Sequence, residues 1–276
     1  MKKWFAVIGD PIAQSKSPEM HNAWYEEAGV DATYIPVHVK PDDLQQAVEA
    51  FKLLGTSGWN VTIPHKQAII PYLDELDSLA AKMGAVNTVV RTNEGKLKGY
   101  NTDGSGFVRS LEDACGEAHR TKALVIIGAG GAARGIAFAL QQAGYTNITI
   151  ANRTIEKAQA IIDEMGAGQA ISMQQAEKSL DTFKIFVQTT PAGMSTGDFD
   201  LPFSLEKFPE GAIAADIVYN PLMTPFLVAA EKKGAQIVNG LGMFVHQGAI
   251  AYEHWLGESP NTNAMIARLT EQLGGK

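Results

Sequence analysis

Apolar positions along the chain switch repeatedly between two spacings. Residues 4–8 form a continuous apolar, β-prone run, which predicts a buried strand broken by Gly9-Asp10-Pro11. A helix follows. Ser17 suits its N-cap, Pro18 its first helical position, and Met20, Ala23, Trp24 and Ala28 keep helical spacing up to Gly29. The alternation continues with a strand over 32–39 and a helix from Pro41. Leu44, Ala47, Val48, Phe51 and Leu54 share one face of that helix, which Gly55 ends. A third strand covers 59–63, and a helix over 76–83 stops at Gly84. Segments 87–92 and 96–100 flank Asn93-Glu94-Gly95 as a hairpin. A helix from Asp103 to about Ala114 leads into the polar stretch 116–121.

A second alternation begins there. Strands are predicted at 123–127, 147–151, 185–187, 212–218 and 236–238, with helices at 131–143 and 155–165. From Leu241 the pattern is helical, and Asn261 caps a last helix carrying Met265, Ile266, Leu269 and Leu273. Strands alternating with helices make an α/β protein with largely parallel sheets. A chain of 276 residues exceeds what one core usually serves, so two domains are expected, with 116–121 as the boundary zone.

Charge and composition narrow the function classes. The net charge is −7 with no basic cluster, which argues against a nucleic-acid partner. Cys115 is the only cysteine and is expected as a half-buried helix residue; no intrachain disulfide can form, which fits a reducing compartment. No apolar run reaches membrane-spanning length and the first residues lack a signal core, so a soluble cytoplasmic protein is expected. The six histidines show no metal-ligand spacing, and no metal is expected.

The sharpest local chemistry is Gly128-Ala129-Gly130-Gly131-Ala132-Ala133, placed after a buried strand and opening a helix. Such glycines let backbone amides approach a pyrophosphate that sits on the helix N-terminus. The next strand ends in Asn152-Arg153-Thr154, without the acidic residue that would bond a free ribose 2′-hydroxyl. Arg153 can pair with a 2′-phosphate, and a cation at a helix start suggests an anion partner, so NADP(H) is favoured over NAD(H).

The N-terminal half places polar residues at strand ends and βα loops: Ser15, Ser17, Thr62, Lys66, Asn87, Asn101 and Asp103. These hydroxyls, amides, one ammonium and one carboxylate suit a small polyhydroxylated acid. Each residue also has a plain structural reading. Ser17 can cap its helix, Asn101 and Asp103 can shape a turn, and Lys66 can lie on the surface.

Taken together, the ordered motifs resemble the shikimate dehydrogenase family. They are Gly9-Asp10-Pro11, Ser15-Lys16-Ser17-Pro18, His21-Asn22, the run from Asn60 to Lys66, the run from Gly84 to Thr88, the run from Gly99 to Gly104, the glycine turn and Asn152-Arg153-Thr154. Asp216-Ile217-Val218-Tyr219, Thr224-Pro225-Phe226-Leu227 and Asn239-Gly240-Leu241-Gly242-Met243 leading to Gln247 complete the set. The resemblance implies Lys66 and Asp103 as a catalytic pair, and Ser15 and Ser17 as carboxylate-binding hydroxyls. It implies Thr62, Asn87, Asn101, Tyr219 and Gln247 on the substrate, and Thr189, Ile217, Gly240 and Met243 near the nicotinamide. It further implies an N-terminal α/β substrate domain and a Rossmann-like doubly wound NADP-binding domain flanking a cleft. The expected split is 1–103 plus 241–276 against 104–240. The implied activity is reversible NADPH-dependent reduction of 3-dehydroshikimate to shikimate, in a monomer or homodimer. A broader quinate/shikimate dehydrogenase and a non-catalytic ligand-binding protein on the same fold stand as alternatives.

Overall fold

The computed structural model describes residues 2–191 and 203–275. The chain divides into two compact units, one of residues 1–102 with 247–265 and one of 103–246 with 266–276.

In chain order the first unit contains β1 (Lys3–Gly9), α1 (Ser17–Glu27), β2 (Ala32–His38), α2 (Leu44–Leu54), β3 (Gly58–Val61), α3 (His65–Ala68), β4 (Glu75–Leu76), α4 (Ser78–Met83), β5 (Thr88–Arg91) and β6 (Leu97–Tyr100). The strands form one sheet in the order β2-β1-β3-β5-β6-β4. β1 runs parallel to β2 and β3, while the β5–β6 hairpin is antiparallel to β3. Pro36 lies in the edge strand β2, where a missing N–H costs no interior ladder bond. α2 forms as the spacing predicts: Leu44, Val48 and Phe51 are buried, and Gly55 closes it with φ +73°. Each such apolar side chain removed from water contributes about 1.5–3 kcal/mol. They join Ala6, Ile8, Trp59, Val61 and Val89 in one core.

A second core layer in this unit is aromatic. His21 stacks on Tyr34 with ring centroids 4.4 Å apart, and Trp24, Tyr25 and Trp255 surround it. His21 is fully buried, and neither ring nitrogen has a hydrogen-bond partner among the described residues. Burial lowers its pKa from 6.5 to about 3, so it is neutral in the fold at physiological pH.

The second unit begins with α5 (Asp103–Cys115) and continues through β7 (Leu124–Ile127), α6 (Gly131–Gln142), β8 (Ile148–Asn152), α7 (Ile155–Met165), β9 (Gln169–Ser172), α8 (Met173–Lys178), β10 (Ile185–Gln188), β11 (Ile213–Asp216), α9 (Pro225–Glu231) and β12 (Gln236–Val238). All six strands are parallel, in the order β12-β11-β10-β7-β8-β9. This is the doubly wound Rossmann order, with its reversal between β7 and β10. β7, β10 and β11 are buried throughout, as strands covered on both faces must be.

Two helices end the chain: α10 (Gly240–Leu256) and α11 (Thr262–Gln272). Asn261 accepts from the Ala264 N–H at 3.1 Å, the cap its position suggested. Residues 240–246 of α10 group with the second unit and 247–256 with the first; residues 266–276 return to the second. The expected split instead placed 241–276 wholly with the N-terminal domain. A long apolar helix reads the same in sequence whichever core each of its turns joins. At the start of α10, Gly242 lies against Ser110, where a Cβ would meet the Ser110 hydroxyl at 2.2 Å. A Cβ at Gly275 would lie 2.9 Å from Leu222 in that same unit.

Sequence patterning also missed five elements: the single turn α3, and β4, β9, α8 and α9. β4 has two residues, and β9 is an edge strand with a single buried side chain. α8 carries a complete Ser172–Gln175 capping box, a signal present in the sequence. Among the described residues no helix is long and apolar enough to cross a membrane.

The burial of neutral His21 predicts an acid sensitivity. Below pH 6.5 the unfolded chain takes up a proton at His21 that the fold refuses until about pH 3, so stability falls as pH drops through this window. His21→Phe keeps the stack and removes the proton. Between pH 7 and pH 5, its unfolding free energy should lose about 2 kcal/mol less than that of the wild type. Urea unfolding of both proteins at the two pH values tests this; a pH-independent difference between them refutes it.

Candidate functional site

In the first unit, strand register assembles one polar rim. Asn60 of β3 pairs with Thr88 of β5, and Thr88 pairs with Tyr100 of β6. Thr62 just beyond β3, Asn87 just before β5 and Asn101 just beyond β6 therefore share one edge of the sheet. Ser15 and Ser17 follow β1 toward the same edge, and the Lys66 carbonyl accepts from the Val86 N–H at 2.7 Å, tying α3 to the residue before Asn87.

Hydrogen bonds link these side chains. The Tyr34 hydroxyl donates to Asn60 Oδ1 at 2.7 Å and is hydrogen-bonded to the Ser17 side chain. Asn60 Nδ2 donates to the Asn87 carbonyl at 3.1 Å and to Thr88 Oγ1 at 3.0 Å. Asn87 Oδ1 accepts from the Thr102 N–H at 2.9 Å, and its amide donates to Thr102 Oγ1 at 3.0 Å. Thr102 in turn donates to the Gln247 carbonyl at 3.0 Å, bringing that part of α10 to the rim. Asn101 donates to the Ala85 carbonyl at 3.0 Å. Ser17, Asn60, Asn87, Asn101 and Thr102 are buried, whereas Ser15, Thr62 and Lys66 are partly open. Burial pushes the Tyr34 hydroxyl well above its usual pKa, so it stays a neutral donor.

One expectation changes here. Ser17 does not cap α1: it is the first helical residue, Lys16 precedes it, and no side chain caps the helix. The Ser15 hydroxyl instead accepts from the Ser17 N–H at 3.3 Å, which leaves the Ser17 hydroxyl to the rim. His65 is buried in a structural role, with Nε2 2.7 Å from the Val39 carbonyl. Asn60, Tyr34 and Thr102 were not singled out as site residues. The signal for Asn60 was an amide inside an apolar strand run; Tyr34 and Thr102 left no comparable mark.

The second unit carries a glycine turn of its own. Gly128 follows β7 with φ +109°, and its N–H bonds the Ala151 carbonyl at 2.8 Å. A Cβ there would stand 2.7 Å from the Thr189 hydroxyl, which itself donates to the Ile127 carbonyl at 2.7 Å. Ala129 leads to Gly130, which caps α6 in extended geometry, and Gly131 and Ala132 form the exposed first turn; Ala133 is buried beneath it. Open space lies over both Gly130 and Gly131. Exposed amides at a helix N-terminus, on the switch-point side of β7, are an arrangement that could hold a pyrophosphate.

β8 lies beside β7, and its last residue, Asn152, donates to the Thr154 carbonyl at 2.8 Å. Arg153 and Thr154 are exposed at the start of α7, and Arg153 meets no carboxylate among the described residues. Arg134 is held by Glu164. An exposed arginine at the end of the strand next to the glycine turn could serve a cofactor carrying a 2′-phosphate.

Beyond β11 come Ile217 and Tyr219, and the Tyr219 ring stacks on Phe244 at 4.8 Å. The Gly240 N–H bonds the Val218 carbonyl at 3.0 Å, and a Cβ on Gly240 would lie 2.3 Å from the Ile217 carbonyl. Gly240 and Met243 thus open α10 beside this segment. Asp216 is buried, and burial raises its pKa from 3.8 to about 6 against hydrogen bonds from Val218, Thr224 and Ile217 that hold it down. Asp103 stands in the first turn of α5, partly open. Cys115 is half-buried at the other end of α5, its thiol on the Leu111 carbonyl, and burial raises its pKa to about 11. Among the described residues no His, Cys, Asp or Glu cluster could hold a metal ion.

Comparison with known proteins extends over both units. Residues 7–89 match the shikimate dehydrogenase substrate-binding domain, 111–195 the shikimate/quinate 5-dehydrogenase domain, and 240–270 the shikimate 5′-dehydrogenase C-terminal domain. A shikimate dehydrogenase (NADP(+)) of Lysinibacillus sphaericus (strain C3-41) is 70% identical over 275 residues, covering 100% of both chains. A crystal structure of a shikimate dehydrogenase in complex with NADP+ superposes with a TM-score of 0.89 at 39% identity, covering 99% of this chain and 96% of that one. Shikimate 5-dehydrogenase from Thermus thermophilus, in complex with NADP(H) and shikimate, gives 0.87 at 34% identity, covering 98% of this chain and 99% of that one.

The two glycine environments predict different outcomes for one methyl group. Gly128→Ala strains a left-handed residue against Thr189 and should cost roughly 1–3 kcal/mol of stability. Gly131→Ala adds its methyl to open space and should change stability by no more than about 0.5 kcal/mol. Denaturant unfolding of the two variants decides; equal losses contradict this account.

Proposed function

Because the chain belongs to the shikimate dehydrogenase family, we propose that it catalyses reversible, NADP-dependent interconversion of 3-dehydroshikimate and shikimate. The observation that carries this reading is the polar rim, where Ser17, Thr62, Lys66, Asn87 and Asn101 converge from separate segments.

The Ser15 and Ser17 hydroxyls bind the substrate carboxylate. Thr62, Asn87, Asn101, Tyr219 and Gln247 hold the ring hydroxyls or that carboxylate. The reduced nicotinamide, when bound, supplies hydride to the C3 carbonyl carbon. Lys66 and Asp103 are the catalytic pair: Lys66 places positive charge and a proton at the developing alkoxide, and Asp103 orients Lys66 and accepts from the substrate hydroxyl. The amides from Gly128 to Ala133 hold the pyrophosphate. Asn152, Arg153 and Thr154 hold the 2′-phosphate, and Thr189, Ile217, Gly240 and Met243 line the nicotinamide side. The net charge of −7 and the single cysteine support a cytoplasmic enzyme with no nucleic-acid partner; monomer or homodimer is what the family resemblance implies.

The direct test is absorbance of reduced nicotinamide with purified protein. Shikimate should reduce NADP⁺ fast, with quinate and NAD⁺ giving far less; strong activity on quinate with NAD⁺ would assign the broader quinate/shikimate activity, and none with any pair would leave only ligand binding. Lys66→Ala should lower turnover by about 10²–10⁴-fold with circular dichroism unchanged, and a variant keeping most of its turnover refutes the role. Arg153→Ala should raise KM for NADP⁺ and leave weak NAD⁺ use nearly unchanged. An equal loss with both cofactors excludes the 2′-phosphate contact.

A further inference from the structure

Segment 217–223 joins β11 to α9 and carries Ile217 and Tyr219, which the reading above places at nicotinamide and substrate. It has no regular structure of its own, so something outside the segment must fix it. Asp216 and Thr224 stand at its two ends, and both are buried, at 1% and 0% exposure. Asp216 Oδ1 accepts from the Val218 N–H at 3.0 Å, and Oδ2 accepts from the Thr224 hydroxyl at 2.7 Å. Thr224 Oγ1 also accepts from the Leu227 N–H at 3.3 Å, capping α9. One carboxylate thus closes the segment into a ring and anchors it to a helix. On the far side, Gly240 and Phe244 of α10 receive Val218 and Tyr219.

Among the described residues no cation pairs with the Asp216 carboxylate, and a carboxylate buried in that way persists only where donors satisfy it. Asp216 has those donors in the Val218 amide and the Thr224 hydroxyl, while the Ile217 N–H is held by the Gln188 carbonyl at 3.2 Å. Because an ionised carboxylate is acceptor-only, it dictates which way each donor points, and so fixes the backbone from which Ile217 and Tyr219 project.

We propose that Asp216 and Thr224 are positioning residues for the dehydrogenase reaction, forming a clamp that sets Ile217 and Tyr219 against their ligands. The proposal rests on the function assigned above. It predicts a loss confined to the nicotinamide and substrate side, because the 2′-phosphate contacts lie on another loop.

Thr224→Ala, Thr224→Ser and wild type are compared in steady-state oxidation of shikimate by NADP⁺, and 2′,5′-ADP binding is measured on each by calorimetry. Thr224→Ala should lower kcat/KM by roughly ten- to a hundredfold, as expected for misplacement of about an ångström. Its affinity for 2′,5′-ADP should stay at the wild-type value, and Thr224→Ser, which keeps the hydroxyl, should recover most of the loss. Unchanged kcat/KM in Thr224→Ala overturns the clamp. So does 2′,5′-ADP affinity that falls in step with activity, or a serine variant no better than alanine. If Thr224→Ala does not fold, Asp216→Asn is measured in the same way, with reduced kcat/KM expected and wild-type kinetics overturning the clamp. A wild-type protein that does not oxidise shikimate overturns the assigned function and this proposal together; a wild type that does, beside an unaffected Thr224→Ala, overturns the clamp alone.

Discussion

The amide of Asn60 is the point on which the first unit turns. It sits inside a four-residue buried strand, where an unsatisfied amide would cost several kcal/mol. All of its visible bonds run sideways, to Tyr34 on β2 and to Asn87 and Thr88 at the start of the hairpin. Satisfying that one group fixes where the hairpin begins relative to the parallel strands. It thereby sets which residues stand on the rim. Ser17 is tied to the same network through the Tyr34 hydroxyl.

In the second unit a different constraint does the equivalent work. The reversal of strand order at β7 leaves the end of that strand flanked by β8 on one side and β10 on the other. Gly128 turns the chain there under the Thr189 hydroxyl, in space no side chain can share. The turn presents exposed amides on one side and brings Asn152, Arg153 and Thr154 alongside. Asn152, Arg153 and Thr154 reach the side of the glycine turn through the adjacency of the β7 and β8 strand ends alone.

Much of this was legible in the sequence, because long elements declare themselves by periodicity. Leu44, Val48 and Phe51 with Gly55 mark α2, and the apolar runs mark β7 and β10. What stayed hidden was of two kinds. Short edge elements such as β4 and β9 bury too little for a pattern. Side-chain partnerships across the sheet, such as Tyr34 with Asn60, depend on strand order, which no local spacing encodes. Ser17 illustrates the ambiguity: Ser-Pro reads as a helix cap, yet the helix begins at the serine itself and its hydroxyl faces Tyr34. Asp216 was visible as part of a motif, but its partnership with Thr224 required the turn between them to be seen.

Two of the buried ionisable groups, His21 and Asp216, respond to acid with opposite sign. His21, in the first unit, is held neutral and opposes protonation, so falling pH works against the fold around it. Asp216, in the second, takes up its proton more readily folded than unfolded, so between about pH 6 and the ordinary carboxylate range acidification favours its surroundings. Mild acid therefore redistributes stability within the chain rather than lowering it evenly. The aromatic core around His21, and not the parallel sheet, sets the acid limit that these two groups impose on the protein.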